Sequence, residues 1–309
     1  MQTSVRLGKL KLKNPVTVAS GTFGYAQEFK ELVDLNALGA IITKTITLNP
    51  RLGNPVPRLA ETSSGMLNAI GLQNEGLDNF ISIKLPLLQR IKTKIIVSVS
   101  ANSAEEFIHC VQALEKVNVE AVELNLSCPN IKYAKLKSSK GKARIFAQDE
   151  NDTFSLINAV AKKTNLVLIA KLSPNVTDIT GIAMAAEKAG AHALSLVNTF
   201  SAMAIDINTL KPRLANVNGG LSGPAIKPIA VKMVYDVAQA VNIPVLGMGG
   251  IMNSDDAVEF ILAGATAIGV GTANFVQPNV SMEIIKGIEQ YCKKNNIKDI
   301  NKLIGMFRV

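Results

Sequence analysis

The sequence contains no tryptophan, and only 5% of its 309 residues are aromatic. Proteins that bind single-stranded nucleic acid stack bases on aromatic side chains, so this scarcity argues against such a role. The formal net charge of +9 is spread along the chain, and its densest basic cluster covers residues 132–144. An anionic small-molecule ligand explains this charge equally well, and we predict no nucleic-acid partner.

Cysteine is also scarce, since Cys110, Cys128 and Cys292 are the three in the chain. Their number is odd and their spacing fits neither a zinc site nor an iron–sulfur cluster, so we predict neither a disulfide framework nor a metal site. Such usage is typical of a reducing compartment. Residues 1–13 lack the apolar stretch of a signal peptide, and no run approaches the roughly 18 apolar residues of a membrane span. We therefore expect a cytoplasmic protein without a membrane partner.

Short apolar runs are abundant, because 48% of the residues are hydrophobic. Many of these runs are rich in β-branched residues and alternate with amphipathic stretches, which predicts strands and helices in turn. The predicted strands cover residues 16–19, 40–43, 95–99, 121–124, 166–171, 193–197, 245–247 and 267–270. The predicted helices cover residues 104–116, 153–163, 178–189, 226–241 and 254–263.

About eight strand–helix units predict an α/β fold of the (β/α)8 TIM-barrel type, formed by residues 1–309 as one domain. A doubly wound sheet is the alternative, but it would need a dinucleotide-binding fingerprint after an early strand, and residues 21–24 do not supply one. Residues 7–15 predict a small N-terminal hairpin. Long loops are predicted at residues 49–73 and 129–151, both on the C-terminal face of the barrel, where active sites lie.

Glycines near the end of the sequence indicate a phosphate site. Gly249 and Gly250 follow the seventh predicted strand, and Gly271 and Thr272 follow the eighth. Barrels often bind phosphate between these two loops, where glycine lets backbone N–H groups approach the anion. The alternative is that these glycines only form tight turns.

Two lysines, Lys44 and Lys171, end predicted strands on the same face. An ammonium group at the end of an apolar run is costly unless an anion pairs with it, so together they indicate a bound anion or a cofactor that becomes anionic. Each could instead extend its charged group to the solvent.

Three amides, Asn68, Asn125 and Asn198, lie on the same face and would suit a planar ring such as a pyrimidine, although each alone could be a turn residue.

Cys128 lies in a polar loop at the end of the fourth predicted strand, unlike Cys110 and Cys292, which we expect to be inert apolar residues. A nucleophilic cysteine normally needs a nearby histidine, and neither His109 nor His192 is obviously placed to help. This favours a thiol that accepts a proton over a covalent nucleophile.

Six segments together resemble dihydroorotate dehydrogenase almost from end to end. They are residues 19–24, 44–45, 51–55, 65–74, 125–130 and 218–223. Cysteine at the position of the catalytic base is similar to class 1 enzymes, and residues 65–74 most resemble class 1B, the catalytic subunit of the NAD-dependent enzyme.

The resemblance implies one FMN per chain at the C-terminal mouth of the barrel, and oxidation of (S)-dihydroorotate to orotate in pyrimidine biosynthesis. Cys128 would take the proton from C5 while hydride passes from C6 to flavin N5. Lys171 would stabilise charge near flavin N1, and Lys44 would pair with the substrate carboxylate or the flavin. The implied FMN contacts are Ser20, Lys44, Thr45, Ser98, Asn125, Lys171, Val197, Gly223, Gly249, Gly250, Gly271 and Thr272. The implied substrate contacts are Lys44, Asn68, Ala69, Ile70, Gly71, Leu72, Asn125, Asn198 and Thr199.

The resemblance to class 1B also implies partners. A separate subunit with FAD and a [2Fe–2S] cluster would pass electrons to NAD, within a heterotetramer built on a homodimer of this chain.

Two features depart from the family pattern: residues 131–144 form a longer and more basic loop, and Ser98 stands where the family often has asparagine. The alternatives are a class 1A enzyme that uses fumarate, another FMN barrel that acts on pyrimidines or tRNA uridines, and a barrel that binds ligand without turnover.

Overall fold

The structure is a computed structural model and describes residues 1–126 and 146–307. Its strands, in chain order, are β1 (Val5–Leu7), β2 (Leu10–Leu12), β3 (Val16–Val18), β4 (Ala40–Ile42), β5 (Leu59–Thr62), β6 (Gly65–Asn68), β7 (Lys94–Val99), β8 (Ala121–Asn125), β9 (Val167–Lys171), β10 (Ala193–Leu196), β11 (Phe200–Met203), β12 (Ile205–Asp206), β13 (Lys211–Pro212), β14 (Asn218–Ser222), β15 (Val245–Met248) and β16 (Ala267–Val270).

The α-helices are α1 (Leu77–Asn79), α2 (Leu85–Leu88), α3 (Ala104–Lys116), α4 (Glu150–Ala161), α5 (Ile179–Lys188), α6 (Lys227–Ala240), α7 (Ser254–Leu262), α8 (Ala273–Val276) and α9 (Val280–Lys294). A single π-helical stretch, Phe80–Lys84, joins α1 to α2. No described helix combines the length and apolar character that are needed to cross a membrane.

Within the described residues, β3, β4, β7, β8, β9, β10, β15 and β16 close into a barrel in chain order, and neighbouring strands are parallel. Each predicted strand is present in this ring, so the predicted TIM barrel is confirmed. These strands read as continuous apolar runs because the helices cover one side of the sheet and packed side chains fill the other. The parallel arrangement brings the carboxyl ends of all eight strands to one rim.

The predicted N-terminal hairpin is also present. Strands β1 and β2 pair with Val5 opposite Leu12 and Leu7 opposite Leu10, and all four side chains are buried. The turn glycine Gly8 lies close to His192, just before β10 begins. The hairpin therefore packs at the end of the barrel opposite the carboxyl rim.

Helix starts follow local side-chain chemistry. Helix α3 begins after Ser103, whose hydroxyl accepts a hydrogen bond from the Glu106 N–H at 3.3 Å. Helix α7 begins at Ser254, but its N-cap is Asn253, whose side chain accepts from the Asp256 N–H at 3.0 Å. Both are the side-chain caps that stabilise helix N-termini.

The expectation of a long irregular loop at residues 49–73 was wrong in part. This stretch contains β5 and β6, which form a four-stranded antiparallel sheet with β14 and β11 from the β10–α6 connection. Residues about 150 positions apart meet in this sheet, for example Asn68 opposite Gly220. The sheet brings together two excursions from the barrel beside the carboxyl rim. One is the connection between β4 and β7, and the other is the connection between β10 and α6.

The other predicted loop, residues 129–151, lies mostly outside the described residues. Its described end forms a 3-10 helix at Phe146–Gln148 and the start of α4. Cys128 and the basic residues 131–144 also lie outside the described residues, so their predicted roles stay predictions.

Candidate active site

A cavity of about 330 Å³ opens at the carboxyl rim of the barrel. Its walls come from the segments that follow the barrel strands and from the four-stranded sheet beside the rim. It brings together most of the residues predicted for FMN and substrate, namely Ser20, Lys44, Thr45, Asn68, Ile70, Gly71, Leu72, Asn125, Lys171, Val197, Asn198, Thr199, Gly223, Gly249, Gly250, Gly271 and Thr272.

Two predicted contacts do not line this cavity. Ser98 is fully buried in β7, where its hydroxyl lies 2.9 Å from the Thr45 hydroxyl. Ala69 is also fully buried, and its N–H donates to the Arg58 carbonyl at 2.8 Å. Ser98 therefore lies directly behind Thr45 of the cavity wall, and Ala69 packs with Leu67 and Leu214. Their contacts with ligands stay predictions.

Glycines form one end of the cavity. Gly249 and Gly250 have φ angles of +133° and +79°, a region that side chains with a Cβ rarely adopt. A Cβ on Gly271, in contrast, would lie 3.8 Å from the nearest described atom outside its two chain neighbours, and the nearest such atoms belong to Ala19 and Thr22. Since Ala19 and Thr22 also line the cavity, the space beside Gly271 is part of it, and this end can accept a phosphate close to the backbone.

Lys171, at the end of β9, is the most buried cation at the site. It is 4% exposed, and its Nζ donates to the Ser20 hydroxyl at 2.9 Å. Glu123 on β8 is fully buried, and its Oε1 lies 3.7 Å from that Nζ. Removing one partner of a buried ion pair costs about 3–5 kcal/mol, because the other charge is left without compensation. The pair thus holds a positive charge against the cavity wall.

Lys44 lies on another wall, half-buried, beside Arg58. Burial lowers the pKa of Lys44 below its ordinary value, and the Arg58 guanidinium lowers it further, while Glu28 and Glu75 act in the opposite direction. Two neighbouring cations that repel each other are stabilised by an anion between them. This corner of the cavity is therefore suited to a carboxylate or a phosphate.

The three predicted amides come from three separate parts of the chain. Asn68 in β6 donates to the Gly220 carbonyl at 3.2 Å, and Asn125 in β8 donates to the Thr45 hydroxyl at 3.3 Å. Asn198 follows β10, and its side-chain oxygen accepts the Thr199 N–H at 2.8 Å. These bonds fix each amide while it lines the cavity, as recognition of a ring with carbonyl and N–H groups requires.

Several lining residues were missed by the sequence-based predictions, including Arg58, Met66, Gln73 and Ser222. Arg58 donates to the Gln73 side chain, and Ser222 accepts from the Thr272 hydroxyl at 2.8 Å. All four belong to the excursions that form the four-stranded sheet or follow from it. The sequence places residues 49–73 on the face of the barrel mouth, but no local pattern indicates that they pair with residues 200–222 to form a sheet there.

The donors and acceptors of the cavity fit FMN. The glycines provide a close backbone approach for its phosphate, and Lys171 is a fixed ammonium group suited to the electron-rich edge of a flavin ring. Lys44 and the amides remain for a second, anionic and planar molecule. Among the described residues, no group of three or more histidine, cysteine, aspartate or glutamate side chains could hold a metal ion.

Sequence comparisons agree with this geometry. The family model described as dihydroorotate dehydrogenase matches residues 2–292. A relative in Lachnoclostridium phytofermentans, named the catalytic subunit of dihydroorotate dehydrogenase B (NAD(+)), is 52% identical over 99% of both chains. Proteins of the same name in Thermoanaerobacter pseudethanolicus and Geotalea daltonii are 50% and 49% identical, and the alignments cover at least 98% of each chain. The predicted resemblance to class 1B is thereby confirmed, and the chain belongs to the dihydroorotate dehydrogenase family.

Proposed function

We propose that this chain is the FMN-dependent catalytic subunit that oxidises (S)-dihydroorotate to orotate in pyrimidine biosynthesis. The proposal rests on one cavity at the barrel mouth that contains Lys171 and Lys44 on two walls and three amides held by hydrogen bonds. Gly249, Gly250 and Gly271, here called the glycine cradle, form one end of this cavity. An anionic, planar substrate and a phosphate-bearing cofactor each have matching groups there.

The lining residues would hold and orient the two molecules. The backbone N–H groups of Gly249, Gly250 and Gly271 would hold the FMN phosphate, and Lys171 would supply a positive charge to its ring. FMN, when bound, accepts the hydride from C6 of dihydroorotate. Lys44 pairs with the substrate carboxylate, since the corner that it shares with Arg58 favours an anion.

The amides Asn68, Asn125 and Asn198 hold the pyrimidine carbonyl and N–H groups, together with Thr199 and the segment at residues 70–72. Cys128, which follows β8 three residues after Asn125, removes the proton from C5. Loss of this proton and of the hydride from C6 leaves the C5–C6 double bond of orotate, so atoms and electrons balance.

Electrons leave through a separate subunit that carries FAD and a [2Fe–2S] cluster, and NAD is the final acceptor. Support comes from the relatives, whose names specify a catalytic subunit and NAD(+). We propose a homodimer of this chain within a heterotetramer. The alternatives are the fumarate-using class 1A enzyme, another FMN barrel enzyme that acts on pyrimidines, and a ligand-binding barrel without turnover.

The proposal is tested by purifying the chain with and without its electron-transfer subunit. We expect a yellow protein whose absorbance bleaches when dihydroorotate is added anaerobically. Turnover with NAD should require the second subunit, and fumarate should not support turnover. A yellow protein that dihydroorotate fails to bleach would contradict the proposed reaction, and rapid turnover with fumarate alone would favour class 1A.

The glycine cradle is tested by Gly271→Val. Added side-chain atoms would occupy the space beside Ala19 and Thr22 that we assign to the cofactor. Overpacking of this kind costs about 1–3 kcal/mol, so FMN should bind about 5- to 150-fold more weakly. Isothermal titration of the FMN-free protein measures the change. The melting temperature without FMN should stay near that of the parent, because the new Cβ would be 3.8 Å from the nearest described atom outside residues 270–272.

A further inference from the structure

We propose that Glu123 is a positioning residue that sets the charge which Lys171 presents to FMN. The inference rests on the proposed function, since it assumes that FMN binds against Lys171. Glu123 does not line the cavity, and its side chain is fully buried inside the barrel. It therefore acts on the cofactor only through its neighbours.

The barrel register explains why these groups meet. Ser98 and Glu123 are direct partners on β7 and β8, and Lys171 is the direct partner of Asn125 on β8 and of Ser195 on β10. Side chains at equivalent register positions of neighbouring parallel strands point to the same side of the sheet. The sequence thus places one carboxylate, one ammonium group and two hydroxyl groups together in the barrel interior.

Both carboxylate oxygens of Glu123 have hydrogen-bond donors. The Ser98 hydroxyl donates to Oε1 at 3.0 Å, and the Ser195 hydroxyl donates to Oε2 at 2.9 Å. Two hydroxyl donors and an ammonium group 3.7 Å away therefore surround the carboxylate.

The hydrogen bond at Oε1 belongs to a chain that reaches the cavity. Since Ser98 gives its proton to Glu123, the Thr45 hydroxyl must donate to Ser98 across 2.9 Å. Thr45 in turn accepts the Asn125 side-chain N–H at 3.3 Å. The donor directions along this series of hydrogen bonds follow from the acceptor oxygen of Glu123, and the series connects the cavity-lining residues Thr45 and Asn125 to that group.

This arrangement predicts how Lys171 acts on the cofactor. The ammonium group lies between a carboxylate behind the wall and the cavity in front, so part of its field is neutralised by Glu123. Without that carboxylate, the full charge would face the flavin ring. The reduced cofactor is the more negative form, and an uncompensated ammonium group would stabilise it selectively.

The test is the midpoint potential of FMN bound to the purified chain, titrated with dithionite against an indicator dye. In Glu123→Gln we expect the affinity for reduced FMN, relative to oxidised FMN, to rise about tenfold. For a two-electron couple this is about 30 mV toward positive potential. A potential that stays unchanged or falls overturns the inference, whereas loosened packing alone would weaken both redox states alike.

A double-mutant comparison separates action through Lys171 from a direct effect of Glu123. In Lys171→Met, the ammonium group through which Glu123 is proposed to act is absent. Adding Glu123→Gln to Lys171→Met should then leave the potential unchanged. A shift as large as in the parent background would contradict action through Lys171.

Two further variants keep the test decisive. Ser195→Ala removes one hydrogen bond to Glu123 but retains the ion pair, and we expect a much smaller shift than in Glu123→Gln. Glu123→Asp retains the carboxylate but withdraws it by one methylene, and it should shift the potential in the positive direction even if the glutamine variant does not fold.

Dithionite, not dihydroorotate, reduces the flavin in this test. Parent protein that binds FMN but is not reduced by dihydroorotate would therefore contradict the proposed function alone. Parent protein that binds no FMN would contradict both the proposed function and the role of Glu123.

Discussion

A Cys128→Ala protein should reduce its flavin with dihydroorotate about 10²- to 10⁴-fold more slowly than the parent, which is the usual contribution of a general base. Binding of FMN and orotate should persist, because the glycines, lysines and amides of the cavity are unchanged. Anaerobic stopped-flow absorbance measures the rate of flavin reduction directly, without the later transfer of electrons to the partner subunit.

The other two cysteines provide the matched controls. Cys110 and Cys292 are buried in α3 and α9, and burial raises the pKa of Cys110 to about 12, so its thiol stays protonated at neutral pH. Cys110→Ala and Cys292→Ala should reduce their flavin at the parental rate. A Cys128→Ala protein that did the same would exclude the thiol as the base.

A Lys44→Met protein should bind dihydroorotate and orotate about 30- to 4,000-fold more weakly, because truncating one partner of a desolvated charge pair costs about 2–5 kcal/mol. The loss should appear in orotate titrations of the flavin spectrum and in KM. FMN should remain bound through the glycines and Lys171. Lys30, an exposed lysine paired with Glu31 away from the cavity, provides the control, and Lys30→Met should bind orotate as the parent does.

The same residue predicts a pH dependence. Its pKa is lowered by burial and by Arg58, so the free protein loses this positive charge at a pH below that of an ordinary lysine. The advantage of the parent over Lys44→Met in orotate affinity should therefore shrink as pH rises through that range. Ionisation of orotate itself cancels in this ratio, because it affects both proteins equally. A ratio that stays constant up to pH 10.5 would exclude Lys44 as the partner of the carboxylate.

The barrel could be predicted because each of its strands is encoded locally. Runs such as residues 267–270 are short and apolar and follow helical stretches, which is typical of buried parallel strands between helices. Helix α3 has the bounds predicted from its pattern, since Ser103 caps it and its apolar residues follow a helical period. The rule that parallel strands share one carboxyl rim then places Lys44, Lys171 and the glycines near each other.

The four-stranded sheet could not be predicted in the same way. Its central pairing, between β6 and β14, joins residues about 150 positions apart, such as Leu67 and Leu221. The proline and glycine residues around β5 and β6 indicate a loop when only neighbours are considered. Arg58 enters the cavity through this long-range pairing. Its effect on Lys44 has no signal in the local sequence.

Glu123 illustrates a second limit. In sequence it stands between apolar residues of a predicted strand, where a carboxylate gives no sign of its partners. Its role depends on two serines and a lysine from three other strands, which the closed barrel brings within 4 Å of its carboxylate. Buried charges of this kind are visible as exceptions to an apolar pattern, but their partners are set by register.

The most direct test is a crystal structure of the chain with FMN and orotate bound. We expect the flavin phosphate against Gly249, Gly250 and Gly271, and the flavin ring against Lys171. Orotate should lie between that ring and Cys128, with the sulfur about 3–3.5 Å from C5, the separation typical of reacting atoms. A flavin bound elsewhere, or a Cys128 sulfur on the far side of the barrel from orotate, would contradict the proposed active site.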